Sequence, residues 1–219
     1  VKVNLDYHQQ LSSDFSFSGS KRKFQFIQGT IHLGKDKHVS QEKPGLHIVG
    51  VLPTFNLAQW QRIFNKLSPS SSNPSNDVLQ SIDLLFKQAT IGIRHYNELA
   101  IKASKQSPDQ WAIDITQANI AAKLVYQPVR HYLSGHFSRL HINDKLTRDN
   151  GEASALRIAS MPSMDLTVDD LKINALLLGS ASIKATAMTH QWRMDSFKIS
   201  SPYYQLTGKG QWSEENKHH

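Results

Sequence analysis

Apolar and polar side chains alternate along most of this chain, and that period of two limits the fold more than any other feature. Val1, Val3, Leu5 and Tyr7 share one side of an extended segment while Lys2, Asn4 and Asp6 take the other, because successive side chains of a strand point to opposite faces. The pattern returns at Phe15/Phe17, Phe24/Phe26, Ile31/Leu33, Leu99/Ile101/Ala103, Trp111/Ile113/Ile115, Met164/Leu166/Val168, Ile183/Ala185 and Leu206/Gly208/Gly210/Trp212. Such strands predict half-buried antiparallel pairing. A parallel sheet covered on both sides would show unbroken apolar runs with helices between them. Ser-Gly-Ser at 18–20, Pro44-Gly45, Ser107-Pro108-Asp109, Asn150-Gly151 and Ser201-Pro202 supply turns between the runs.

One segment departs from the alternation. In Asn56–Leu67 the apolar residues Leu57, Trp60, Ile63, Phe64 and Leu67 recur at three- and four-residue steps, and Asn56 and Gln59 have the spacing of a capping box. This predicts one short amphipathic helix, after which SPSSSNPSND at 68–77 reads as an exposed Ser/Pro-rich loop. The chain therefore divides into a β segment with its helix (1–67), the loop (68–77), a repeated β segment (78–213), and a tail or tag remnant (214–219).

The repeat is explicit. Ile82-Asp83-Leu84, Ile101-Lys102-Ala103, Gln110-Trp111 and Ile113-Asp114 correspond to Met164-Asp165-Leu166, Ile183-Lys184-Ala185, Gln191-Trp192 and Met194-Asp195. Asp83 to Trp111 is 28 residues and Asp165 to Trp192 is 27. A unit of several strands recurring in this way suggests an array that grows by adding strands.

Composition narrows the function. With no Cys, neither a disulfide scaffold nor a Cys-based zinc site is available. The formal charge of +7 comes from scattered cations, Lys21-Arg22-Lys23 being the one compact cluster, and no stripe of interleaved aromatics favours nucleic acid. A soluble surface or weak attraction to anionic headgroups accounts for the excess. His131, His136 and His141 recur every five residues, a spacing that places neighbours on opposite faces of a regular strand, so no metal site is expected of them. Asp169-Asp170 should diverge for the same reason. No phosphate loop, nucleophile elbow or cofactor motif appears, and an enzyme is not expected. No run approaches the ~18 apolar residues of a membrane-spanning helix, and the opening residues lack a signal pattern. Starting at Val1 in mid-pattern, the sequence reads as an internal excerpt of a longer protein.

About a dozen half-apolar strands need more cover than one helix supplies. Two sheets can fill the space between them, the sheet can close into a barrel, or a bent sheet can leave a trough for an outside apolar molecule. The residues alone leave all three open. Gly29-Thr30-Ile31-His32-Leu33-Gly34, Pro44-Gly45-Leu46 and the block from Gly50-Val51-Leu52-Pro53 to Gln59-Trp60 resemble YhdP-like members of the AsmA family. So do Trp111 to Ile115, Ala122 to Pro128, Phe137 to Ile142, Pro162 to Val168, Leu178-Gly179, Trp192 to Asp195 and Leu206 to Trp212. The order of these loose motifs across 24–213 carries the resemblance. Asn56 stands where the family usually has Asp, and Ala121-Ala122 where a Gly is common.

The resemblance implies a mainly β fold, an elongated, twisted antiparallel sheet bent into a trough. It also implies a periplasmic protein of Gram-negative bacteria, anchored in the inner membrane by a segment outside this sequence, similar to bridge-like lipid-transfer proteins that move phospholipid toward the outer membrane. On that reading Leu99, Ile101, Trp111, Ile113, Ile115, Leu166, Val168, Ile183 and Leu206 are candidate lining residues, with Trp60, Ile63 and Phe64 a helical cap or plug. Phospholipid and the two membranes would be the partners. The competing expectations are an envelope scaffold or protein-interaction module whose β core is filled by its own side chains, and a closed barrel around one small apolar ligand.

Overall fold

The computed structural model describes residues 1–8, 10–20, 23–34, 43–56, 78–91, 94–143 and 161–213. The protein is mainly β: these residues form thirteen strands and no helix. They divide into two compact units, Val1–Pro108 and Asp109–His219. The first holds β1 (Lys2–Tyr7), β2 (Leu11–Ser20), β3 (Lys23–Leu33), β4 (Gly45–Asn56), β5 (Leu79–Ile91) and β6 (Arg94–Ser107). The second holds β7 (Gln110–Gln117), β8 (Ile120–Gln127), β9 (Tyr132–Ile142), β10 (Ser163–Ile173), β11 (Leu176–Met188), β12 (Gln191–Ser200) and β13 (Gln205–Ser213). Asn56 ends β4; the rest of the expected helix, with Trp60, Ile63 and Phe64, and the 68–77 loop lie outside the described residues.

Within each unit the strands lie side by side in chain order. Neither unit closes: among the described residues β1 pairs only with β2, and β13 only with β12. The expectation of purely antiparallel pairing is corrected at three places, since β3–β4, β4–β5 and β9–β10 are parallel. The connections there are residues 34–44, 57–78 and 143–162, long enough for the crossover that a parallel pair requires and a tight turn cannot make. β4 carries the sequence mark of such a strand. Leu46, Ile48, Val49, Val51 and Leu52 are nearly continuous, and Val49 is buried on one face while Gly50 is buried on the other. Gly50 also permits the close approach of β3, because a Cβ there, at φ +152°, would run into the Leu33 carbonyl oxygen.

Each unit has its own packed centre. In the first, Leu99 (1% exposed) and Phe86 (2%) face each other across β5–β6, with the Phe55 ring 4.6 Å from that of Phe86. In the second, Val168, Leu171 and Ile199 are buried against Phe137, Leu140, Leu178, Ala181 and Phe197. Burying each such side chain fully contributes about 1.5–3 kcal/mol.

Candidate functional site

Cross-strand partners share a face, so pairing register gathers residues distant in sequence into rows. In the second unit, Ile113, Leu124, Gly135, Leu166, Ile183, Phe197 and Gly208 form one row across seven strands. A neighbouring row runs Ile115, Ala122, Phe137, Val168, Ala181, Ile199 and Leu206. On the other side of the first row lie Trp111, Tyr126, Leu133, Met164, Ala185, Met194 and Gly210. Seven of the nine lining candidates thus share one apolar face. Trp111, Ile113, Ile115, Leu166 and Ile183 are half-buried, Val168 is buried, and Leu206 on the outermost strand is 53% exposed. Burial pushes the Tyr126 phenol above its usual range, with the Asp109 charge adding to the effect.

The remaining two candidates belong to the first unit. Ile101 stands opposite Leu84 in a row that continues through Gly50 to Leu33, and Leu99 stands opposite Phe86 beside Leu52. Ile101 is half-buried; Leu99 is packed among protein side chains.

The reverse face of the second unit is polar. Asp114, Lys123, His136, Thr167, Ser182, Lys198 and Thr207 form its central row. Lys184 lies 3.1 Å from Asp165, whose hydrogen bond and charge hold the ammonium above the usual lysine range. In the first unit the matching pair is Lys102–Asp83 at 3.0 Å. Both pairs sit at directly opposed positions, so the sequence repeat is also a repeat of register and charge. The polar face of the first unit contains buried His47. Its Nε2–H is 3.3 Å from the carbonyls of Lys43 and Pro44, which can only accept, so Nδ1 accepts from the Ser81 hydroxyl at 2.6 Å.

A family model described as YhdP protein matches residues 1–219. The chain belongs to the YhdP family. This is a family of envelope proteins. A search of curated proteins gives no match. Among solved structures, the crystal structure of Sex pheromone staph-cAM373 precursor aligns with 87% of this YhdP-family chain and 74% of its own, at 10% identity and a TM-score of 0.17. That likeness is too slight to carry an argument.

Two expectations about polar residues in this YhdP-family chain are corrected. His136 and His141 share a face despite their odd spacing, and Asp169 and Asp170 share it with them. His136 Nε2 lies 2.9 Å from Asp169 and His141 Nε2 lies 2.7 Å from Asp170. The cause is a pair of β-bulges. Val168 and Leu171 both face the apolar side although three residues apart, as do Phe137 and Leu140 directly opposite them on β9. The two residues between are therefore both displaced toward the polar side. The result is two separate His–Asp pairs; among the described residues no group of three or more His, Asp or Glu side chains could hold a metal ion.

A third bulge, in β12 between Met194 and Phe197, keeps those two residues on the apolar face. The alternation rule overlooks Leu140, Leu171, Phe197 and Ile199 because each follows a bulge that resets the phase. Leu124 and Ala122 were within reach of it, as alternate residues of Ile120–Gln127.

Proposed function

We propose that the apolar faces shelter phospholipid acyl chains as lipid passes from the inner toward the outer membrane, in an inner-membrane-anchored protein of the periplasm. The observation that carries this reading is the separation of the second unit's sheet into three adjacent apolar rows on one face and an ion-paired face behind them. An acyl chain of ~16 carbons that leaves a bilayer loses about 0.8 kcal/mol per methylene, or about 13 kcal/mol in all. A sheet curved into a trough removes most of that barrier by offering aliphatic surface at every step, while headgroups stay in solvent. Rows of Ile, Leu, Val and Ala give a smooth surface without a deep minimum, which suits passage better than storage. The function is one of binding and movement, with no bond made or broken. Family membership supports the envelope setting.

Photo-crosslinking tests this reading with controls taken from the register. A photoreactive residue at Ile113 or Leu166 is expected to capture phospholipid in Gram-negative cells, and one at Asp114 or Thr167, on the reverse face, to capture none. Equal labelling of both faces, or none on either, would favour a scaffold with a self-filled core.

A further inference from the structure

Three of the chain's four Trp residues belong to the second unit, and all three stand at the same end of its strands. Trp111 is the second residue of β7 and faces Tyr126; Trp192 is the second residue of β12 and faces Trp212 on β13. The register makes these a single aromatic rim. Trp111 and Tyr126 begin the row that runs through Leu133, Met164 and Ala185 to Met194, and the Trp192–Trp212 pair lies one step further out on the same apolar side. The rings are only partly covered. Trp111 and Tyr126 are half-buried and Trp212 is 47% exposed, while Trp192 is buried, its ring 5.4 Å from that of Trp212 and its indole N–H donating to the Pro162 carbonyl at 3.0 Å.

The opposite ends of the same strands differ in chemistry. On the apolar face the rows close there on Ile120, Leu140 and Leu171, with Ile173 facing Leu176 beyond them. The turns at that end, 118–119, 174–175 and 201–204, contain no charged residue. Tyr203 and Tyr204 lie in the last of them, and the Tyr204 hydroxyl donates to the Leu178 carbonyl at 3.2 Å. The turns beside the aromatic rim instead hold Asp109, Arg130, His131 and His190. Asp109 accepts from the Val129 N–H at 2.8 Å, and Arg130 is an exposed cation two positions beyond Pro128.

An indole or a phenol has an apolar body and one polar hydrogen, and such groups collect where hydrocarbon meets lipid headgroups. We infer, resting on the lipid-sheltering reading above, that a phospholipid lies along the strands of the second unit with its headgroup at the rim of Trp111, Tyr126 and Trp212 and its acyl chains across the rows toward Ile115 and Leu206. The dimensions agree. Trp111, Ile113 and Ile115 cover four steps of extended chain, about 13 Å. The tails of one bilayer leaflet occupy ~15 Å, half of a ~30 Å hydrocarbon core. Charge agrees as well, since the Arg130 guanidinium stands beside this rim and suits a lipid phosphate, while the turns at the far end offer no charge to a headgroup placed there.

Fluorine NMR of the full chain labelled with fluorotryptophan tests the orientation. The chain is loaded with phosphatidylcholine that carries a nitroxide either on its headgroup or near the methyl end of one acyl chain, and Trp111→Phe and Trp212→Phe assign the two signals. The headgroup nitroxide should broaden Trp111 and Trp212 severalfold more than the methyl-end nitroxide does. Leu206→Trp places a further reporter at an exposed position of β13, six residues from Trp212, or about 20 Å along the strand. There the order should reverse, and this pair on one strand decides the matter even if Trp111→Phe fails to fold. Equal broadening by both lipids, stronger broadening of Trp111 and Trp212 by the methyl-end label, or no reversal at Leu206→Trp would overturn the headgroup placement and leave lipid sheltering standing. Broadening of none of these signals by either lipid would remove lipid sheltering itself.

Discussion

Asp195 shows how much one side chain on the polar face is shaped by its neighbours. It sits in the β12 bulge, where the Thr186 hydroxyl donates to one carboxylate oxygen at 2.6 Å and Arg193 Nε–H donates to the other at 2.6 Å. These two donors, with Arg193 and Lys209 adding charge, hold the carboxyl below the usual Asp range. Because the folded state binds this proton more weakly than the unfolded chain, the stabilisation is complete above the ordinary carboxylate pKa and is lost as pH falls through the folded one. The group is solvated, so its effect is read by titration. Carbon-detected NMR of the Asp195 carboxyl should give a midpoint below that of an unstructured Asp, and Thr186→Ala should move it upward. An unchanged midpoint would mean that the hydroxyl does not govern the site.

At the scale of elements, bulges determine which residues reach the apolar face. The bulges in β9 and β10 lie side by side, so Phe137–Val168 and Leu140–Leu171 stay in register although each strand carries an extra residue relative to its other neighbour. Deleting Asp169 alone removes the β10 bulge and sets Leu171 opposite Arg139 in place of Leu140. Its ion pair with His136 is exposed and contributes little. Loss of the Leu140–Leu171 packing should cost about 2–3 kcal/mol, on the scale of one buried aliphatic side chain. Deleting Ser138 alone should cost a similar amount. The double deletion restores the register and should be less destabilising than the two costs added together, a non-additivity that urea unfolding of the four proteins measures directly.

The same bulges explain what could be read from the sequence. Strands, their approximate positions and the Asp–Lys repeat were legible because they obey a period of two. The parallel joins at β4 and the convergence of His136 and His141 with Asp169 and Asp170 were not. Parallel pairing depends on where a long connection returns the chain, which local pattern does not record. A bulge is one residue that inverts the phase of all that follow, and neither Asp169-Asp170 nor Ser138-Arg139 carries a Gly or Pro to mark it.

For the whole molecule, the distribution of polarity between the two sides of the sheet matters more than any single residue. Rows that pass through seven strands give the second unit an apolar side with half-buried Ile113, Leu166 and Ile183 and an opposite side with Asp114, Thr167 and Lys198. A lipid-sheltering role then makes an asymmetric demand: a charge is harmful on one side and tolerated on the other. Placing a carboxylate at Leu166 or Ile183 removes aliphatic surface and puts an ion where acyl chains would lie, at a desolvation penalty of several kcal/mol. Thr167→Asp and Ser182→Asp change the formal charge equally on the solvated face. Lipid extracted from purified protein and quantified by mass spectrometry should fall severalfold for Leu166→Asp and Ile183→Asp and remain near wild type for the other two, with far-UV circular dichroism confirming folded strands in all four. If the apolar-face variants fold and retain their lipid, the rows are protein core rather than lipid surface.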